Sequence, residues 1–311
     1  MQQITDTLLM VRPASFNSNP ETAVNNYFQQ EIAGLSDQAL NDKAVAEFDS
    51  FVASLRDKGI RVIVVDDVKS DNTPDAVFPN NWVSFHQDGQ VVLYPMFAQS
   101  RRRERREEVI EAVEAAGFKI DSITDYTAAE DEGVFLEGTG SLLLDRVNSI
   151  AYCALSDRAH EELLIEFCED FEFTPVIFTA NQTVDGQRLP IYHTNVMMAL
   201  AENFAVVCLA SIDDSKQRKN LVSHIKESGK EIVDITEAQM HAFAGNMLQV
   251  RNEAGQKYMV MSKAAHDSLT QKQIAQIEAH CEILSSSLTV IETCGGGSAR
   301  CMMAEVFLPR A

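Results

Sequence analysis

The chain has no paired cysteines, few basic residues and no long apolar run, and each lack excludes a class of protein. Six cysteines, Cys153, Cys168, Cys208, Cys281, Cys294 and Cys301, stand without a C-x-x-C pair or regular spacing. Neither a zinc site nor a disulfide framework is therefore expected. No apolar stretch approaches the roughly 20 residues that span a bilayer, and the N-terminus lacks the basic start and apolar core of a signal peptide. A cytoplasmic location is the expectation. Lys and Arg total 26 against 46 Asp and Glu, a formal net charge of −20. Such a field repels nucleic acid and anionic membranes, so neither is an expected partner.

What the chain does have is enough apolar material for a core, 45% of 311 residues, laid out with a period. From Trp82 the order is strand, strand, helix, strand, and it returns with first strands at about Trp82, Ser141, Val196, Met247 and Met302. Spacings of about 50–60 residues suggest a repeat architecture. In the last unit only the first strand, Met302 to Leu308, lies at the C-terminus. Its remainder is supplied by the N-terminal strand Thr7 to Val11, the helix Asp42 to Lys58 and the strand Ile60 to Val65. A unit split between the termini implies a closed ring, since a closed array needs no capping repeat. The expectation is one α/β domain, residues 1–311, of five strand-strand-helix-strand units with helices outside. Within it the pattern predicts a helix over Ser100 to Ala116 and a strand over Thr289 to Ile291. The arginine-rich start of that helix, R-R-R-E-R-R-E-E, alternates with glutamates three or four residues away, which reads as a solvated, ion-paired face.

Polar residues recur in one phase of the repeat, just before each first strand: Asn81, Glu137, His193 with Asn195, Asn246, and Cys301. Singly, each reads as an ordinary core or turn residue. In a ring they converge on the axis, and a thiol, an imidazole, a carboxylate and amides in one pocket are what a nucleophilic enzyme needs. The cysteine stands out locally as well. Three glycines, Gly295 to Gly297, are costly in any regular element, so they suit a turn whose backbone approaches something closely. Arg300 sets a positive charge beside the sulfur.

These entry motifs resemble the guanidine-modifying superfamily, of pentein or amidinotransferase-like fold. G-G-G-S-A-R-C-M is similar to its cysteine loop, Y-H-T-N (Tyr192 to Asn195) to its H-x-D motif, L-E-G-T-G (Leu136 to Gly140) to its E-G-G motif, and F-P-N-N (Phe78 to Asn81) to its F-x-x-D motif. The resemblance spans nearly the whole chain and implies a five-bladed α/β propeller. It also implies Cys301 as nucleophile, His193 as acid and base, Glu137 as a carboxylate at the site, and no metal or cofactor. The partner is then a small-molecule substrate, and a homodimer is left open. Two aspartates of the family pattern are amides here, Asn81 and Asn195. A buried cation without an opposing charge loses several kcal/mol to desolvation, whereas an amide offers both donor and acceptor to a neutral ureido group. Citrulline is therefore the favoured substrate at this stage, the closest type being the citrulline-utilisation hydrolases. An arginine deiminase, a dimethylarginine hydrolase or an amidinotransferase is the enzymatic alternative, and a non-catalytic binding protein on the same fold is the other. Asn81, Asn195 and Phe78 are expected to hold the head group; the cation for the α-carboxylate is not assigned, with Arg300 and Arg188 as candidates.

Overall fold

The computed structural model describes residues 2–311. Its longest helix, Asp37–Asp57, begins at Ser36, whose hydroxyl accepts the Ala39 N–H as an N-cap. Leu40, Ala44, Phe48, Phe51, Val52 and Leu55 recur at three- and four-residue spacing and are all buried, a single apolar stripe facing the core. At about 1.5–3 kcal/mol for each large side chain, that stripe is enough to seat the helix. It connects Thr7–Arg12 to Arg61–Asp66, which pair in parallel, and parallel neighbours require such a crossover. The C-terminal Ala304–Glu305 completes this sheet, antiparallel to Thr7–Arg12.

Four more three-stranded sheets repeat that arrangement. They are Val83–Phe85, Gln90–Leu93 and Ser122–Asp125; Leu143–Asp145, Ile150–Leu155 and Thr174–Thr179; Met198–Leu200, Phe204–Val207 and Glu231–Asp234; and Leu248–Arg251, Lys257–Ser262 and Glu282–Ser286. In each, the first strand is antiparallel to the second, and the second is parallel to the third across a helix. First strands touch one another: Ala304–Glu305 lies against Val83–Phe85, and Met198–Leu200 against both Leu143–Asp145 and Leu248–Arg251. Among the described residues no helix is long and apolar enough to cross a membrane.

Several boundaries differ from the sequence reading. Thr289 to Ile291 is helical rather than a strand, and the third strand of its unit is Glu282–Ser286. Its β-branched run is overridden from a distance, because the Glu47 carboxylate accepts the N–H groups of Val290 and Ile291. The expected helix from Ser100 is two pieces, Gln99–Arg102 and Glu107–Ala115. Arg101 in the first piece and Glu104 in the link between them turn inward, 2% and 4% exposed, so this end of the basic run is core and not a solvated face. The strand expected over Met302 to Leu308 shrinks to Ala304–Glu305. An additional hairpin, Asn181–Val184 with Gln187–Pro190, stands outside the repeat.

Candidate active site

Each residue singled out by the repeat precedes a first strand. Asn81 ends the short turn Pro79–Asn81, Glu137 caps the helical turn Gly138–Ser141, and His193 caps Thr194–Met197. Cys301 follows the glycine loop, 2% exposed. Phe78, Asn81, His193 and Cys301 line one narrow cavity, with Glu137 behind the histidine at 2.7 Å from its Nε2. The glycines are explained by contact. A Cβ on Gly295 or Gly297 would come within 3 Å of the Phe78 ring, and one on Gly140 would meet Asn81 and His193. Gly296, at φ +63°, faces Asn26 so closely that a Cβ would stand 2.5 Å from its amide.

The sulfur is met by amides. Asn246 Nδ2 lies 3.2 Å from Cys301 Sγ and Asn195 Nδ2 at 3.5 Å, so two N–H donors can serve a thiolate. Asn246 also accepts the backbone N–H of Arg300 through Oδ1 at 3.0 Å, which pins the cysteine turn. Burial pushes Glu137 up, but Arg158 and the hydrogen bond from His193 outweigh it and hold the carboxyl down at about 2. Burial takes His193 down to about 4, against the pull of Glu137. The resting pair is thus a carboxylate accepting from a neutral imidazole, and a resting imidazolium beside the thiol is not the picture the cavity supports.

The same cavity holds residues that the repeat did not single out. Asp75 is 2% exposed; its Oδ2 accepts from Asn19 at 2.7 Å and Oδ1 has no protein partner. Burial raises its pKa while Arg101 opposes. Arg101 makes a two-pronged pair with Glu104 at 2.9 Å and donates to Asn81 Oδ1 at 2.7 Å. Burial pushes Glu104 up to about 7 despite that partner. Arg158 sits over the Tyr192 ring, 3.6 Å from Glu137, and donates to Asn25 Oδ1 and the Thr22 carbonyl. Asp75 lies in the polar stretch between the second strand and the F-P-N-N motif, where a carboxylate reads as an ordinary turn residue. Arg158 lies just before a helix, and Arg101 is masked by its arginine neighbours.

Three expected binding residues lie elsewhere. Asn195 is beneath the sulfur, not among the groups lining the cavity. Arg300 turns away, to the Met303 carbonyl and Glu305 at 2.8 Å each. Arg188 pairs with Asp213 and Glu237 on the surface hairpin.

Residues 12–308 match the family model for eukaryotic N,N dimethylarginine dimethylhydrolase. The chain belongs to this family, and with it to the guanidine-modifying enzymes of pentein fold. No curated protein matches in sequence. Among solved structures, apo ArgZ, an arginine dihydrolase from the ornithine-ammonia cycle in cyanobacteria, is similar with a TM-score of 0.72 at 18% identity, over 98% of this chain and 41% of its own. The isolated N-terminal domain of ArgZ, covalently bound to a reaction intermediate, gives 0.68 at 19%, covering 97% of this chain and 99% of that one. A dimethylarginine dimethylaminohydrolase variant, as an adduct with S-methyl-L-thiocitrulline, gives 0.63 at 13%, over 97% and 99%. The chain thus spans about two fifths of the full-length ArgZ and the whole of the single-domain structures, and it shares their mixed α/β fold.

Proposed function

We propose that this dimethylhydrolase-family chain hydrolyses the guanidino group of arginine or an N-methylated arginine through a covalent intermediate on Cys301. Asp75 carries the reading: a buried carboxylate with one free oxygen, in the cavity that Cys301 and His193 line. It supplies the opposing charge that Asn81 and Asn195 lack, and so removes the electrostatic reason for preferring a neutral ureido substrate. The amide argument weakens from its other side too, since Asn81 Oδ1 is taken by Arg101 and Asn195 faces sulfur. Family membership supports the guanidino alternative over citrulline in the same way.

In this reading His193 takes the Cys301 thiol proton as the sulfur attacks the guanidino carbon, and the tetrahedral adduct collapses with release of ammonia, methylamine or dimethylamine, which leaves with that proton. His193 then takes a proton from water as it attacks the thiouronium carbon, the carbon–sulfur bond breaks, and a ureido product leaves. Glu137 holds the imidazole and stabilises it while it carries the proton. Arg158 is the candidate partner for the α-carboxylate, because its bonds to Asn25 and Thr22 belong to a segment that must move for any substrate to enter. We also read residues 1–311 as one catalytic domain with the five sheets as blades of a ring. The contacts between first strands and the meeting of both termini in one sheet support that arrangement.

A panel of arginine, asymmetrically dimethylated arginine, citrulline and agmatine, scored for released amine and for amino-acid product, tests the reading. Turnover of arginine or its methylated forms to a ureido product is expected. Turnover of citrulline alone would return the ureido assignment, transfer of the amidino group to an added amine would make the chain a transferase, and no turnover with tight binding would make it a binding protein.

A further inference from the structure

Five cationic side chains are buried among the described residues: Arg101, Arg146, Arg158, Lys230 and Arg300. Four of them have a carboxylate within 4 Å: Glu104, Glu137, Asp145 and Glu305 respectively for Arg101, Arg158, Lys230 and Arg300. Arg146 has none. Its guanidinium lies 4.2 Å above the Phe307 ring, and its one side-chain hydrogen bond among the described residues runs from Nη1 to His86 Nδ1 at 3.4 Å. That imidazole cannot serve as a counter-charge. It is neutral, with burial and Arg146 itself holding its pKa well below 6.5, and its Nε2 is occupied by Ser84 at 2.8 Å.

A buried cation left unpaired costs several kcal/mol, so what faces Arg146 matters. It lines a second cavity, separate from the catalytic one, together with Arg300, Glu305, Gln3 and a wall of Leu143 and Met247. The charged residues there, two arginines and one glutamate, sum to +1 in a chain whose formal net charge is −20. Free space is about 20 Å³, room for one or two waters and too little for an amino acid, a phosphate ester or a nucleotide. The position has a structural consequence. Arg300 adjoins Cys301, and its backbone N–H rests on Asn246, which reaches the sulfur from the other end of its amide.

We propose that this second cavity binds one small monovalent anion of the size of chloride, held by Arg146 and Arg300, and that its occupancy secures the turn carrying Cys301. The site is independent of the substrate assignment and stands whichever guanidino or ureido compound is turned over. Burial lowers the Arg146 pKa from its ordinary value, Glu305 opposes that shift and Arg300 adds to it, so the one carboxylate lining the cavity, already paired with Arg300, does not offset the burial of Arg146.

Two measurements test it. At constant ionic strength, with sodium gluconate exchanged for sodium chloride, the midpoint of thermal unfolding should rise by about 4 °C between no chloride and about a hundred times its dissociation constant. Sodium bromide should act alike, and Arg146→Gln should abolish the dependence. Crystals grown with bromide should show one anomalous peak between Arg146 and Arg300. If the variant does not fold, the bromide map of the unmodified protein decides alone. The proposal is overturned by a map without a peak in that cavity, or by a chloride effect that Arg146→Gln retains in full.

Discussion

At the scale of single residues, the buried Asp75 carboxylate joins the thiol, imidazole and Glu137 carboxylate that the sequence had already picked out. Replacing Cys301 with Ala should reduce turnover by at least about three orders of magnitude with an unchanged circular dichroism spectrum; activity within tenfold of the parent would remove the nucleophile assignment. Asp75→Asn keeps the hydrogen-bonding shape toward Asn19 and Thr22 but removes the charge. For a guanidinium substrate, kcat/KM should fall about 30- to several-thousand-fold, the usual loss when one side of a buried charged pair is deleted. Citrulline, being neutral, should change far less, so equal losses for both would refute the role given to Asp75. Asn246 bonds to both the sulfur and the backbone N–H of Cys301.

At the scale of elements, the segment Asn19 to Gln30 closes the site. It reaches the cavity floor through Asn19 on Asp75, the Arg158 site through Asn25, and the cysteine loop through Asn26 on the carbonyls of Gly295 and Gly296. The free space in the cavity is about 10 Å³, room for roughly one water, so under the proposed function an amino-acid substrate enters only if part of the lining moves, and this segment is the proposed part. Its hold is polar at these asparagines and apolar at Phe28, which is buried against Tyr192, His241 and Phe243. Gly296→Ala tests the fit of segment and loop, since it adds both positive-φ strain and a clash with Asn26. Gly117→Ala is the matched control, at φ +89° with open space around its Cβ. The control should lose about 1 kcal/mol in urea unfolding. Gly296→Ala should lose more and also lower kcat/KM, and equal losses with unchanged kinetics would separate the loop from the site.

At the scale of the whole molecule, buried histidines and buried carboxylates pull stability in opposite directions as pH falls: Glu104 and Glu292, both pushed up to about 7 by burial, bind protons on folding and favour the fold in acid. His193 is held at about 4 and His86 well below 6.5, both chiefly by burial. A histidine whose pKa is depressed on folding binds more protons in the unfolded chain, so stability rises with pH between the folded and unfolded values. As pH drops from about 6.5 toward 4, each histidine should therefore subtract up to about 1.4 kcal/mol of unfolding free energy per pH unit, against the gain from the two carboxyls. Replacing His193 with Gln should shift that slope by one histidine's share, about 1.4 kcal/mol per pH unit toward greater stability in acid, which urea titrations of parent and variant across the window would read; an unaltered slope would mean that the histidine is not buried neutral. Below that range, protonating Glu137, held at about 2, removes a further contribution present above its unfolded value.

The order and number of the repeating units, the sharing of one sheet by the two termini, and the phase of Asn81, Glu137, His193 and Cys301 were determined by the sequence alone, because periodic burial and glycine-marked turns are local signals that survive in a linear string. What only the tertiary structure decided is the charge of the site. Asp75, Arg101 and Arg158 come from a loop, a broken helix and a pre-helical turn, with no shared phase to mark them, and each looks like a solvated residue until distant segments bury it. Arg300 shows the reverse: adjacency to Cys301 in sequence suggested adjacency in the site, but successive residues of a turn point to different sides, and its guanidinium went to Glu305. Direction of a side chain is set by what packs against it, and that information is spread over residues hundreds of positions apart.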